Sequence, residues 1–365
     1  MIGPVVPQPA PQVVLDALTS VQVTTSVGER SGFQLTFTLS NNSPLHTLFL
    51  LAGGSIPPIL RVILTATVSG TPNVLIDGVV THQQVTPADA GRSTLTVTGK
   101  DLSAVMDLID FSGTPFPAMP AEARVALLCA KYAFLGIIPK IIPSVLIDIP
   151  IPTEMIPTQQ GTDFSYITSL ADEVGYVFYL EPGPQAGQSF AYWGPEIKIG
   201  APQPALNINM DAHTNVEALD FTFDGESATL PIVMIQNKET KAIIGIPVPP
   251  ITPLNPPLGL VPSLSLKIEY QDYTAKYNPI RAALVGITKA SKTADALTAN
   301  GTLDVTRYGR ILQARQLVGV RGAGFAYDGL YYVKTVKHEI KRGEYKQSFT
   351  LTRNGLISTV PQVPA

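Results

Sequence analysis

Residues that build redox, metal and charged sites are scarce in this sequence. It has 1 cysteine, Cys129, which excludes an internal disulfide framework and a multi-thiolate metal site. Cys129 lies in an apolar helical segment, so we interpret it as an inert buried thiol. The 4 histidines lie far apart, without the spacing of a metal site, and the sequence predicts neither a metal nor a cofactor. They are His46, His82, His213 and His338.

Charged residues are also few. Charged residues make up 15% of the chain, below the roughly 25% of an average soluble domain, and the formal net charge is -3. Because Lys and Arg do not cluster, the sequence predicts no recognition of nucleic acid. Hydrophobic residues reach 45%, and a surface this poor in charge is typical of proteins that contact other proteins.

Signals for export and membrane insertion are missing as well. The first charged residue is Asp16, so the basic region of a secretory signal is absent and we expect synthesis in the cytoplasm without a signal peptide. The uncharged run 242–266 could span a bilayer by length alone, but its repeated prolines exclude a helix. The sequence therefore predicts no transmembrane segment.

Motifs of catalysis do not occur either. There is no phosphate-binding P-loop and no Gly-x-Ser-x-Gly elbow, and the glycines of Gly319–Gly324 have the wrong order for a dinucleotide site. Asp172 and Glu173 are adjacent on a predicted helix, where neighbours point in different directions, so they indicate a solvated face. We predict that the protein is not an enzyme. A wall-degrading enzyme stays an alternative, because glycosidase carboxylates leave no short motif.

Alternating polar and apolar residues dominate the first hundred positions. Segments such as Gln34–Leu39 and Thr94–Thr98 predict strands with one buried face, and turn residues separate them. This pattern favours a small antiparallel barrel or sandwich. Strand signals return beyond residue 200 and again at Tyr331–Ile340 and Tyr345–Leu351, and a helix is predicted at Ser291–Ala299, closed by Asn300-Gly301.

The intervening segment has helical signals. Short helices are predicted at 101–109 and 120–135. In Gly161–Pro182, Thr162 caps a helix, Gly175 ends it, and a strand follows from Tyr176.

An internal echo links the two strand-rich regions. Val79-Val80-Thr81-His82 opens a predicted hairpin that returns through Thr94–Thr98, and Val336-Lys337-His338 opens another that returns through Ser348–Thr352. Two related β modules are the natural interpretation. A chain with two such modules would carry two equivalent assembly faces.

The segment GTDFSYITSLADEVGYVFYL, at 161–180, resembles a segment of the baseplate hub family of phage tails and contractile injection systems. That family includes late-control D proteins and the hub part of VgrG spike proteins. The ending GLYYVKTVKH, at 329–338, is similar to the last barrel strands of such hubs.

The resemblance implies an α+β, mainly β fold, with two tube-like antiparallel β-barrels and an intervening mixed α/β lobe. The expected parts are a proline-rich arm at 1–12, a first barrel at 13–103, the lobe at 104–203, a second barrel from 204–240 and 292–358, a proline-rich insertion at 241–291 and a tail at 359–365.

The function implied is that of a structural hub. Three copies would form a pseudo-six-fold ring that joins the central spike to the tail tube and initiates it, inside a virion tail or injection particle. The expected partners are the chain itself, as a homotrimer, a separate spike protein, the tail-tube protein and other baseplate subunits. A tail-associated module that binds carbohydrate or a receptor is the main alternative, although the single Trp193 and dispersed tyrosines do not favour it.

Two sets of residues are candidate contacts. The ring-interface hairpins offer Val79, Val80, His82, Leu95, Val97, Val333, Val336, His338, Phe349 and Leu351. The partner-contact loop offers Ile246, Pro249, Pro250, Leu254, Pro257 and Leu260. This loop has an equally weighted alternative, an insertion that packs on its own barrel.

Overall fold

The computed structural model shows a mainly β protein with few helices, which confirms the predicted fold class. It describes residues 1–40, 43, 45, 60–88, 92–144, 152–153, 156–226, 229–236, 243–247, 256–262, 267–271, 282, 285–287, 290 and 295–360.

The described strands and helices are as follows. The strands are β1 Ile2–Gly3, β2 Leu18–Ser26, β3 Gly32–Ser40, β4 Arg61–Val68, β5 Thr71–Ala88, β6 Arg92–Asp101, β7 Ile137–Ile141, β8 Val177–Pro182, β9 Ser189–Gly194, β10 Gln203–Asn207, β11 Val216–Phe223, β12 Thr229–Gln236, β13 Ile243–Pro247, β14 Gly259–Pro262, β15 Lys267–Gln271, β16 Leu297–Asp304, β17 Leu317–Arg321, β18 Gly329–Lys341, β19 Glu344–Arg353 and β20 Gly355–Ser358. The α-helices are Gln12–Ala17, Ser103–Met106, Ala121–Ala130, Asp163–Val174 and Val305–Tyr308, and short 3-10 helices lie at Ala133–Leu135 and Asp211–His213.

Most strands belong to a 12-stranded sheet whose path runs β1-β4-β5-β6-β3-β2-β18-β19-β16-β11, with β17 on β18 and β10 on β17. Alternation in the sequence explains its buried face. In β3, Phe33, Leu35 and Phe37 point into a core with Val23 and Val97, while Gln34 and Thr36 between them point away. A second core, around Leu351, lies behind the C-terminal strands. Each strand-rich region of the sequence therefore has its own core.

A mixed α/β lobe lies between the two strand-rich regions in sequence. Thr162 accepts a hydrogen bond from the Ser165 amide at 3.2 Å at the start of helix Asp163–Val174, and Gly175 ends that helix with φ 75°. Ile167 and Leu170 face a core centred on Trp193, in the three-stranded sheet β7-β9-β8. The sequence predictions for this unit are confirmed.

A buried ion pair connects the first strand region to the lobe. The Arg61 guanidinium on β4 donates to both carboxylate oxygens of Asp77 on β5, at 2.8 and 2.6 Å, and to the Leu135 carbonyl at 2.7 Å. Burial raises the pKa of Asp77, while its hydrogen bond and charge interaction with Arg61 act in the opposite direction. Neither side chain is more than 4% exposed, so each charge is stabilised by the other and not by water. The Leu135 carbonyl further stabilises the Arg61 guanidinium.

Two local predictions were wrong. Residues Leu297–Asp304, part of a predicted helix and its closing turn, form strand β16 between β11 and β19. The Asn300-Gly301 pair lies inside this strand, and the absent side chain of Gly301 leaves room for the ring of Phe349 on β19. The helix predicted at 101–109 is shorter in the structure, at Ser103–Met106, and the Asp101 carboxylate accepts from the Ser103 amide at its start at 3.0 Å.

The insertion also differs from its expected outline. Strand β12, expected within the second barrel, lies instead in a separate sheet with order β13-β12-β15. Strand β14 pairs with β20 near the end of the described chain. We therefore propose that the insertion starts directly after β11 and extends to β16.

Candidate assembly interface

The two strand-rich regions repeat one strand order. The N-terminal strands are arranged β4-β5-β6-β3-β2, and the C-terminal strands are arranged β17-β18-β19-β16-β11. When each set is numbered by its position along the chain, the two orders are identical. We call the sets the first and second β modules. The duplication predicted from the sequence echo therefore exists at the level of topology.

Strand registers relate the modules residue by residue. On β6, Leu95 lies between Val85 of β5 and Phe37 of β3. On β19, Phe349 lies between Val336 of β18 and Gly301 of β16. The return strands 94–98 and 348–352 of the sequence echo thus occupy the same place in the strand order of their modules.

The histidine part of the echo does not hold in this register. His82 lies opposite Thr98, but His338 lies opposite Gln347 and not opposite the equivalent Thr352. The shared Val-x-His pattern is a chance likeness of two outgoing strands. The repeat rests on strand order and on the return strands instead.

The modules are joined by strand pairing between distant parts of the chain. The outer strand of the first module, β2, pairs antiparallel with the second half of β18, from Ser26 beside Thr335 to Ser20 beside Lys341. Val23 of β2 and Val336 of β18 are both completely buried at this seam. We call this contact the internal joint. Strand pairing thus extends continuously from the first module into the second.

Arg315 lies where the internal joint meets the lobe. Its guanidinium donates to the Ser26 carbonyl at 2.8 Å and lies 3.8 Å from the centre of the Tyr179 ring. Burial lowers the pKa of Arg315, and the nearby acidic groups, including Glu181 and Asp101, act in the opposite direction. Sequence reasoning missed Arg315 and the joint, because their partners lie hundreds of residues away and leave no local pattern.

The predicted ring-interface residues lie mostly inside the modules. The side chains of eight are buried in the cores or the seam, Val80 is half-buried and His82 is exposed. The buried set is Val79, Leu95, Val97, Val333, Val336, His338, Phe349 and Leu351. The opposite face of the same hairpins carries half-buried polar side chains, such as Thr96 and Thr350. These hairpins stay candidates for a ring through that face and through their strand edges.

Solved structures of tail proteins have the same architecture. A tail protein from Neisseria meningitidis MC58 superposes with a TM-score of 0.60 at 14% identity, covering 93% of each chain. The 43 kDa tail protein of prophage MuSo2 from Shewanella oneidensis gives 0.58 at 13% identity, covering 92% of this chain and 94% of that one.

A third structure comes from E. coli and is a type VI secretion component described as structurally similar to the phage T4 tail proteins gp27 and gp5. It gives a TM-score of 0.52 at 10% identity and covers 95% of this chain and 76% of that one. The chain has the fold of these tail proteins. In sequence, no family model and no curated protein matches it.

The predicted partner-contact loop is only partly within the described residues. Ile246 on β13 and Leu260 on β14 are 43% and 62% exposed, and Pro257 is exposed. Pro249, Pro250 and Leu254 lie outside the described residues. Leu258 packs against Leu317 and Tyr332 of the second module. The described part of this loop therefore rests on its own module and leaves Leu260 outward.

The described residues contain neither a metal-binding cluster nor a helix that could span a membrane. Among the described residues, no group of His, Cys, Asp and Glu could hold a metal ion. Cys129 is fully buried, and burial raises the pKa of its thiol to about 12. None of the described helices has the length and apolar character needed to cross a bilayer.

His338 is a buried titratable residue at the internal joint. Its ring nitrogen Nδ1 lies 2.9 Å from the Tyr345 hydroxyl and 3.4 Å from the Gln347 amide, and on the other side His338 pairs with Val23 of β2. Burial lowers the pKa of His338 to about 4. The imidazole is therefore neutral in the folded protein at neutral pH.

We expect the free energy of unfolding to fall as the pH drops from about 6.5 towards 4. In this window the unfolded chain protonates His338 and the folded chain does not, so acid favours unfolding by up to about 3 kcal/mol. Urea unfolding at a series of pH values measures this slope. The variant His338→Gln should flatten it, whereas His213→Gln, at an exposed turn, should leave it unchanged. Equal slopes in all three proteins would contradict the assignment to His338.

Proposed function

We propose that this protein is a structural, non-catalytic hub of a contractile tail or injection system. In this proposal, a homotrimer forms a pseudo-six-fold ring that joins the central spike to the tail tube and initiates the tube. The observation that carries the proposal is the identical strand order of the two β modules. The likeness to solved tail proteins over nearly the whole chain supports it.

The duplicated module provides a physical basis for an adaptor. A tail tube built from six-fold rings cannot match a three-fold spike through one kind of surface. Three chains with two similar modules each present six similar β surfaces on one side and keep three-fold symmetry on the other. Two modules fused in one chain also fix the spacing of neighbouring positions before assembly, which lowers the entropy cost of ring closure.

The proposed partners follow from this geometry. The ring binds further copies of itself, the tail-tube protein above, the spike protein below and other baseplate subunits around it. We propose that the partner-contact loop takes part, because Ile246 and Leu260 expose apolar side chains beside an otherwise packed module. The protein would act within an assembled virion tail or injection particle.

A mass measurement of the intact assembly tests the proposal. We expect native mass spectrometry to show a three-fold assembly, either of the chain alone or after addition of the spike protein from the same particle. Electron microscopy of that species should show a ring with six similar lobes. A chain that stays monomeric at tens of micromolar with its spike protein present would contradict the hub function.

A further inference from the structure

A cavity of about 380 Å³ lies where the first module, the lobe and the second module meet. Its walls come from β2 and the start of β5, from the end of β8, from β18 and from the loop 311–316 that precedes β17. A more open groove of about 620 Å³ continues from it, and Asn73, Gln313 and Gln316 line both. Volumes of this size are typical of sites for small ligands.

The loop 311–316 is held on both sides by glutamine side chains. Gln347 of β19 is completely buried, accepts from the Leu312 amide at 2.9 Å and donates to the Leu312 carbonyl at 2.8 Å. Gln203 of β10 makes the same two-way contact with the backbone of Gln313, at 2.8 and 2.9 Å. These hydrogen bonds fix the loop at the cavity wall, so the shape of the cavity is set before a ligand enters.

Arg315 has a strained backbone in this loop. Its φ is 65°, in the left-handed region that residues other than glycine rarely adopt. Hydrogen bonds to β18 hold this conformation, because the Arg315 amide donates to the Val333 carbonyl at 2.8 Å and the Gln316 carbonyl accepts from the Val333 amide at 2.9 Å. Backbone strain of this kind is concentrated at ligand-binding and catalytic sites.

The side chain of Arg315 is a cation with few partners. Its guanidinium contacts the Ser26 carbonyl and the face of the Tyr179 ring. Within the described part of the chain, its Nε atom is buried without a hydrogen-bond partner, and Arg315 forms no ion pair. A guanidinium removed from water is stable only when other charges and acceptors offset its desolvation. An anion in the cavity that Arg315 lines would supply the missing counter-charge.

A carboxylate in the same cavity limits the charge of that anion. Glu181 lines the cavity, and its charge acts on Arg315 from beyond ion-pair distance. The Lys140 ammonium lies 3.8 Å from Glu181 and offsets part of this charge. Glu181 would repel a doubly charged phosphate more strongly than a singly charged carboxylate. The planar guanidinium also matches a carboxylate in shape, so a carboxylate is the favoured anion.

We propose that this cavity binds the carboxylate of a small organic acid or of a protein chain end, and that Arg315 holds it. The amide side chains of Asn73, Gln313 and Gln316 then offer hydrogen bonds to the rest of the ligand. The site goes beyond the hub function and does not depend on it. Because the walls come from both modules and from the lobe, an occupied cavity stabilises their relative arrangement.

Two probes that differ only in charge test the site on the full chain. N-acetylalanine carries a carboxylate, and N-acetylalaninamide has a neutral amide in its place. We expect titration followed by ligand-detected NMR to give a Kd of about 1 mM for N-acetylalanine, as is usual for so small a ligand. The neutral probe should bind about 10-fold more weakly, because the charge-assisted hydrogen bond is lost. Equal binding of both probes, or binding of neither, would overturn the proposal.

Variants with opposite expected effects locate the binding in the cavity. Arg315→Gln should weaken the binding of N-acetylalanine at least 10-fold, on the order of one charge-assisted contact. Glu181→Gln removes a repelling charge and should strengthen it about 3- to 10-fold. The matched control is Arg92→Gln, which removes an exposed arginine at the start of β6 and should leave the Kd unchanged.

The outcomes of these variants decide between a built site and general attraction to positive charge. Equal weakening by Arg315→Gln and Arg92→Gln would show general attraction and sink the site. Glu181→Gln keeps the test decisive if Arg315→Gln does not fold, since Glu181 is joined only to the mostly exposed Lys140 in its ion pair. An unchanged Kd in Glu181→Gln would also contradict the proposal.

A longer probe distinguishes the two sources of the carboxylate. N-acetyl-tetraalanine has the same end group, and its additional residues would lie in the open groove beside Gln203 and Gln316. Binding about 10-fold tighter than that of N-acetylalanine would support a protein chain end as the ligand, whereas equal binding would support a small organic acid. Failure of all probes would remove the carboxylate site and leave the trimer test of the hub function unaffected.

Discussion

Replacing Arg61 with leucine is expected to lower the free energy of unfolding by about 3–5 kcal/mol at neutral pH. The change leaves Asp77 buried without its bidentate partner and removes the donors to the Leu135 carbonyl. Desolvation then raises the pKa of Asp77 further, because the opposing charge is gone. Urea unfolding followed by tryptophan fluorescence measures the loss.

The pH dependence of this variant distinguishes the cause. A carboxylate with a raised folded pKa is destabilising while ionised, so the deficit of Arg61→Leu should shrink as the pH falls towards the range where Asp77 protonates. Arg30→Leu provides the control, since Arg30 pairs with a partly exposed Asp107 and should cost no more than about 1 kcal/mol. A pH-independent deficit would show that lost packing, and not the buried charge, dominates.

Replacing Trp193 with alanine is expected to cost about 3–5 kcal/mol. Its ring is fully buried in the lobe, 4.9 Å from the ring of Tyr176 in an edge-to-face contact, and truncation leaves a cavity at the centre of that core. Thermal unfolding followed by circular dichroism measures the change. The neighbouring position Ile138 is 41% exposed on β7, so Ile138→Ala should cost under about 1 kcal/mol. Similar losses for both variants would contradict the view that Trp193 anchors the lobe.

Local chemistry explains which parts of the fold could be predicted from the sequence. Thr162 is a typical residue for a helix start and Gly175 for a helix end, and each acts through its immediate neighbours. The helix lies between them. Alternation of polar and apolar residues in Gln34–Leu39 likewise predicts a strand with one buried face. Successive side chains of a strand point to opposite faces, so burial of one face gives the sequence a period of two.

Tertiary contacts determine the parts of the fold that sequence patterns predicted wrongly. Asn300-Gly301 carries turn chemistry, but pairing with β19 and the ring of Phe349 keep it extended. The outgoing Val-x-His echo suggested equivalent histidines, and a difference in hairpin register separates His82 from His338. The predicted interface residues were chosen for their apolar character, and that character places most of them in the module cores instead.

The internal joint was the hardest feature to foresee. Nothing local to Val23 or Val336 distinguishes them from other buried valines of strands. Their place at the joint appears only in the strand order of both modules. Duplication was visible in the sequence, but the way in which the copies join was not.

The pairing of β2 with β18 also determines when the large sheet can be completed during protein synthesis. The hydroxyls of Ser26 and Thr335 meet across a separation of 309 residues. At a translation rate of about 5–20 residues per second, the early strand waits roughly 15–60 s for its mate to leave the ribosome. Until then, the edge of β2 that faces β18 has no partner strand, so the 12-stranded sheet is completed only near the end of synthesis.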